Sequence, residues 1–227
     1  QEKIIKRVLA GRDNFVLMPT GGGKSLCFQI PALILPGTTI VVSPLISLMQ
    51  DQVDALRANG VKAAFYNSSL SYPESQAVLK DLENDNLSLL YVAPETLMRE
   101  DFLERIAELT ISLIAVDEVH CVSQWGHQFR PEYAQLASLR PLFPTVPWLV
   151  LTATADKQTR DDIKQILSLH NADFHLASFN RPNISYTIKE KHQPQEQLKA
   201  FLENRQDESG IIYCLSRKRV EEIDEMM

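Results

Sequence analysis

The sequence predicts an α/β protein: a parallel β-sheet flanked by helices, followed by the start of a second α/β unit. Three observations carry this. Apolar runs of strand length alternate with segments of helical period, and such alternation calls for a parallel sheet with crossover helices. One predicted strand runs directly into a glycine-rich turn, and another ends in two adjacent carboxylates.

The elements follow in chain order. An amphipathic helix comes first, with Ile4, Ile5, Val8 and Leu9 as its apolar positions. Asn14-Phe15-Val16-Leu17 is the first strand, and a helical stretch runs from Leu26 to Leu35. Further strands are expected over Thr39–Ser43, Val61–Tyr66, Leu87–Ala93, Leu113–Asp117 and Trp148–Thr152. The segment Phe174–Asn183 reads as the exit from this domain, which places a first domain over 1–178 and a linker with part of a second over 179–227. In the second, strands are expected over Ile184–Lys189 and Gly210–Cys214, with a closing helix over Lys218–Met227. No internal repeat or low-complexity segment is present.

The turn after the first strand is Met18-Pro19-Thr20-Gly21-Gly22-Gly23-Lys24-Ser25. Glycines let successive backbone N–H groups point inward at phosphate oxygens, and the helix that follows adds its positive end. Lys24 can then reach the β- and γ-phosphates of a nucleoside triphosphate, and the Ser25 hydroxyl can hold Mg²⁺. The general pattern has glycine where Met18 stands, so Gly23-Lys24-Ser25 is the strict match. A glycine-rich turn that binds nothing is the plain alternative.

Leu113-Ile114-Ala115-Val116-Asp117-Glu118-Val119-His120 reads as a buried strand ending in carboxylates. Ligands of open α/β sheets sit at the carboxyl ends of strands, so Asp117 and Glu118 would emerge near Lys24. Asp117 would take Mg²⁺ through its water shell, and Glu118 would deprotonate the attacking water. An acidic pair at a strand end is otherwise often a helix cap.

Net charge is −6, so there is no overall cationic attraction for nucleic acid, and any such binding must come from a local patch. Cys27, Cys121 and Cys214 are widely spaced and form no C-x-x-C pair, which points to reduced thiols and no zinc site within these residues. No apolar run approaches the roughly 18 residues of a membrane-spanning helix, and no signal peptide is recognisable. His170, His175 and His192 lack metal-ligand spacing.

Asp117-Glu118-Val119-His120 resembles the DExH box of superfamily-two helicases, and its surroundings resemble the RecQ family of DNA helicases. The resemblance spans essentially all 227 residues. It takes in Met18–Ser25 (motif I), Val42–Gln52 (motif Ia), Tyr91–Glu95, Leu151–Ala155 (motif III) and Gly210–Cys214 (similar to motif IV). The most specific part is Ser123–Tyr133, similar to the aromatic-rich loop of RecQ proteins. The family usually has alanine where Val119 stands.

The resemblance implies a RecA-like P-loop NTPase domain with ATP and Mg²⁺ as cofactors, and 3′–5′ movement on DNA in repair and recombination. It implies single-stranded and forked DNA as partners, single-stranded DNA-binding protein as a further one, no membrane, and a cytoplasmic location, at the nucleoid if bacterial. Such helicases clamp ATP between two lobes, the second bearing arginine fingers on motif VI. Motifs V and VI are not among these residues, so the chain alone is expected to be a weak catalyst.

By the same resemblance Gln1 is similar to an adenine-reading glutamine, with an ordinary helix residue as the alternative. Ser43, Pro44, Gln50 and Gln52 are expected at phosphodiesters. Gln124, Trp125, His127, Phe129 and Arg130 are expected to sense DNA, the aromatic faces by stacking on bases; packing into the core is the competing reading of Trp125 and Phe129. Arg130 is expected to pair with phosphate or with groups beside Glu118. Thr152 and Thr154 are expected to link Asp117 and His120 to the DNA side, or else to cap the helix that starts near Asp156. A DExH-box RNA helicase, a P-loop kinase and a nucleotide- or DNA-binding module without turnover remain as rivals.

Overall fold

The computed structural model describes residues 1–125, 129–178, 182–203 and 205–226. Two units divide it, Gln1–Asn180 and Arg181–Met227.

The first unit is built on seven strands: β1 (Asn14–Leu17), β2 (Thr38–Val42), β3 (Ala63–Tyr66), β4 (Leu89–Val92), β5 (Ile111–Val116), β6 (Trp148–Thr152) and β7 (Asp173–Leu176). They form one sheet in the order β3-β4-β2-β5-β6-β1-β7, and every pairing is parallel. Among the described residues, α1 (Glu2–Leu9) precedes β1, and the crossovers between strands carry α2 (Leu26–Ile34), α3 (Ile46–Ala58), α4 (Tyr72–Glu83), α5 (Pro94–Leu97), α6 (Glu100–Ala107), α7 (Pro131–Gln135), α8 (Leu139–Leu142) and α9 (Lys157–Ile166).

The central strands read as unbroken apolar runs because both faces are covered. Alternate residues serve opposite core layers. Val42, Val92, Val116 and Val150 pack with Leu82, Phe102, Tyr133 and Ile163 on one face. Val16, Val41, Ala115 and Leu151 pack with Val8, Phe28 and Met49 on the other. Val119, where alanine is usual in the resembling family, is fully buried in the first layer.

Strand β7 was not foreseen. The exit read over Phe174–Asn183 begins with residues that instead form the outer strand beside β1. Its edge position leaves alternate residues exposed, with Phe174 and Leu176 facing outward, and so hides the apolar signature of a central strand.

In the second unit, α10 (Pro194–Leu202) and α11 (Arg217–Asp224) form, the latter with the Ser216 side chain capping it through Arg219 N at 3.3 Å. The strands expected over Ile184–Lys189 and Gly210–Cys214 are not formed among the described residues. A strand exists only with a hydrogen-bonded neighbour, and neither segment pairs with one here.

Candidate active site

All the chemistry-bearing turns leave the sheet at its carboxyl edge, where ligands of such sheets bind. The β1–α2 turn lies beside the ends of β2 and β5. Gly21 and Gly23 take φ +76° and +73°, a left-handed conformation costly for any residue with a Cβ. A Cβ on Gly23 would also collide with the side-chain amide of Gln1, whose Nε2 donates to Gly22 O at 2.8 Å. Lys24 Nζ folds back to donate to Met18 O at 3.3 Å, while Met18 itself is buried. Among the described residues the amides of Gly21, Gly23, Lys24 and Ser25 donate to no backbone acceptor. Four free N–H groups at a helix start suit an anion with several oxygens.

A cleft of about 340 Å³ opens here, lined by Thr20, Lys24, Ser25, Gln52, Asp117 and Glu118 among others. Asp117 follows β5; its amide donates to Val42 O at 2.9 Å, and its Oδ1 accepts from Glu118 N at 2.9 Å. Burial, then the charge of Glu118, pushes the Asp117 carboxyl up to about 6. A cation beside it would oppose that shift, so this half-buried carboxylate suits Mg²⁺ with its water shell. Glu118 sits in a left-handed turn, φ 47°, and its Oε2 is 3.1 Å from His120 Nδ1. That hydrogen bond holds Glu118 below the usual carboxylate range, while Cys121 beside it and Glu118 push His120 up to about 10. Glu118 is therefore charged and oriented.

His120 Nδ1 is also 3.0 Å from Thr152 Oγ1, at the end of β6. The Thr152 hydroxyl in turn accepts from Thr154 N at 3.1 Å and donates to Thr154 O at 3.0 Å. Helix α9 has its own cap, Asp156, which accepts from Thr159 N at 2.8 Å, so neither threonine serves as that cap.

The residues expected at DNA separate into two groups. Ser43 is 2% exposed and lines the cleft; Gln52 lines it too and accepts from Gln29 Nε2 at 3.1 Å. Pro44 instead lines a second depression of about 790 Å³, with Ile46, Ser47, Asn67, Glu95 and Arg130. Arg130 reaches Glu95 at 3.4 Å, a partner the sequence reading did not name. Gln50 and Thr154 are exposed. Trp125 is 68% exposed and Phe129 37%, so neither plugs the core. Gln124 beside them is exposed, and His127 lies outside the described residues. Ser123 anchors this segment through Asp162, 2.7 Å from its Oγ, and Arg130 N donates to Cys121 O at 2.9 Å.

Two contributors escaped the sequence reading. Tyr133 is fully buried and donates from its hydroxyl to Asp117 O at 3.0 Å. Tyr91 lines the cleft and lies 3.4 Å from Gln29 Nε2. For Tyr91 a tyrosine inside an otherwise apolar run is the available signal, since its hydroxyl has to find a polar partner once buried; Tyr133, outside any such run, carries no such signal.

Residues 1–163 match the model of the DEAD/DEAH box helicase family. The chain belongs to that family. Over all 227 residues it is 52% identical to the ATP-dependent DNA helicase RecQ of Pasteurella multocida, of which it covers 36%. It is also 44% identical to the ATP-dependent DNA helicase Q-like 4B of Arabidopsis thaliana, covering all of this chain and 20% of that one. The chain thus spans little more than a third of the length of its bacterial relative. Among solved structures, the helicase MrfA superposes with a TM-score of 0.71 at 20% identity, over 99% of this chain and 37% of that one. The Hef helicase domain of Pyrococcus furiosus gives 0.60 at 19%, over 80% of this chain and 38% of that one. Both likenesses concern the fold, a parallel sheet with helices on its two faces. No helix among the described residues is long and apolar enough to cross a membrane.

Proposed function

We propose that the chain is the nucleotide-binding half of an ATP-dependent 3′–5′ DNA helicase of RecQ type. Single-stranded and forked DNA are its substrates, and single-stranded DNA-binding protein is a further partner. It works in the cytoplasm, at the nucleoid in a bacterium. One observation carries the reading: the hydrogen-bonded line Glu118–His120–Thr152 connects a carboxylate in the phosphate cleft to the turn at Thr154.

In this reading the free amides of the β1–α2 turn and Lys24 hold the triphosphate, and Gln1, resting on Gly22, faces the base. Ser25 and Asp117 would hold Mg²⁺, which neutralises charge building on the terminal phosphate. Glu118, kept charged by His120, takes the proton of the attacking water. Pro44, Gln50, Arg130 and the exposed faces of Trp125 and Phe129 contact the strand, the aromatics by stacking, at about 1–3 kcal/mol per base. A strand that moves the Ser123–Arg130 segment also moves Cys121 and His120, and through them Glu118.

ATP turnover by the full-length protein, with single-stranded DNA or RNA of equal length, tests the proposal. Stimulation by DNA and not by RNA is expected. Stimulation by RNA alone would favour an RNA helicase, and no stimulation would leave a nucleotide-binding module. The 227 residues alone are expected to turn over slowly, since an arginine finger from a partner lobe is worth about 10³–10⁵ in rate.

A further inference from the structure

Ser43 carries a buried hydroxyl that the sequence assigns to DNA and the fold assigns elsewhere. It directly follows β2, and its Oγ has no hydrogen-bond partner. A hydroxyl kept from water without a partner is disfavoured and calls for a reason. Register supplies one. Val42 pairs with Val116 across β2 and β5, so Ser43 and Asp117 are the next residues along neighbouring parallel strands. Val41 and Ala115 share the core layer of α2 and α3, whereas Val42 and Val116 share the opposite one. Alternation therefore directs Ser43 and Asp117 to the α2–α3 side together, and both line the cleft with Lys24 and Ser25.

Asp117 completes the pair. Its Oδ1 takes the Glu118 amide, and no protein donor among the described residues serves its other oxygen. A donor without an acceptor and an acceptor without a donor thus stand on adjacent strand ends. Pro44, Ile46 and Ser47 line the second depression, which Ser43 does not, so a strand lying there meets the residues after Ser43 and not its hydroxyl.

We propose that Ser43 is a positioning residue of the nucleotide site: its hydroxyl, unbonded in this structure, turns about χ1 to donate to the Asp117 carboxylate when nucleotide binds, and so orients it toward a hydrated Mg²⁺. This rests on the nucleotide reading above.

The test compares Ser43→Ala, Ser43→Thr and Lys24→Ala in the full-length protein. It measures the melting temperature without nucleotide, DNA affinity without nucleotide, and the Mg²⁺ concentration for half-maximal binding of a fluorescent ATP analogue. Ser43→Ala is expected to raise that Mg²⁺ concentration about 10-fold, the usual scale for losing a group that orients a ligand carboxylate. Its melting temperature should equal or exceed the parent's, its DNA affinity should stay within about twofold, and Ser43→Thr should restore the Mg²⁺ requirement. An unchanged Mg²⁺ requirement in Ser43→Ala overturns the proposal, as does a loss confined to DNA affinity. If Ser43→Ala melts well below the parent, Ser43→Cys, which keeps the volume and weakens the donor, carries the same comparison. Parental nucleotide binding by Lys24→Ala would defeat the nucleotide reading itself, a separate failure.

Discussion

The phosphate cleft and the Ser123–Arg130 segment are joined through His120 and Cys121, yet they are built on opposite plans. At and beside the cleft, half-buried Asp117 and buried Thr152 stand at strand ends and are tied to neighbours by hydrogen bonds. In the segment, Trp125 and Phe129 face solvent, and among the described residues Ser123 and Arg130 fasten it down. A polar group shut away from water has to be bonded, which fixes its geometry before any ligand arrives. An aromatic ring left outside the core keeps its face available for a ligand that arrives later. In the proposed function, chemistry falls to the hydrogen-bonded region and sensing to the one with exposed rings.

Replacing the cation of the cleft should have the largest effect. Lys24→Ala is expected to abolish detectable Mg·ATP binding in an equilibrium titration, with DNA affinity retained. Loss of both together would break the separation of the two regions.

The aromatic residues sharpen it next. Tyr133→Ala removes a fully buried ring and its bond to Asp117 O, and should cost about 3–5 kcal/mol in a denaturant melt. Trp125→Ala should stay within about 0.5 kcal/mol of the parent, as surface changes do, while most of the DNA response of ATP turnover disappears. A large stability loss for Trp125→Ala would make the segment part of the core after all.

Between the regions stands Thr152. Thr152→Val keeps the shape but strands Thr154 N and leaves His120 Nδ1 with Glu118 alone, and should cost about 1–3 kcal/mol. Basal nucleotide binding should survive, and stimulation by DNA should fall. Full stimulation in that variant would take Thr152 out of the connection.

The smallest effect belongs to the Asp156 cap, an exposed side chain at the start of α9. Its carboxylate is held below the usual aspartate range by the Thr159 amide and hydroxyl. A depressed folded-state value means that the contribution is complete above the ordinary aspartate range and is lost as pH falls through the lowered one. Asp156→Asn should therefore narrow its melting-temperature gap to the parent as the solution is acidified, and a constant gap would contradict the cap.

Legibility in the sequence followed the same division. Gly23-Lys24-Ser25 and Asp117-Glu118 announced the cleft because a phosphate loop and a carboxylate-ended strand each need particular residues at particular spacings. The central strands were legible because both faces are covered. Edge strand β7 was hidden by its exposed alternate residues, and the Ile184–Lys189 segment resembled a strand by composition while lacking a neighbour to pair with. Ser43 was the instructive case: its place in motif Ia pointed to DNA, whereas the register with Asp117 needs the assembled sheet to be seen. The contribution of Tyr133 likewise depends on a contact 16 residues back in the chain.

The most direct test of the division of labour is single-turnover ATP hydrolysis by Glu118→Gln in the full-length protein, beside its nucleotide and DNA affinities. Loss of a general base typically costs about 10²–10⁴ in rate. Hydrolysis is expected to fall by that factor with and without DNA, while both affinities stay near the parental values. Hydrolysis at the parental rate would show that Glu118 is not the base, and that the cleft does not work by the chemistry assigned to it.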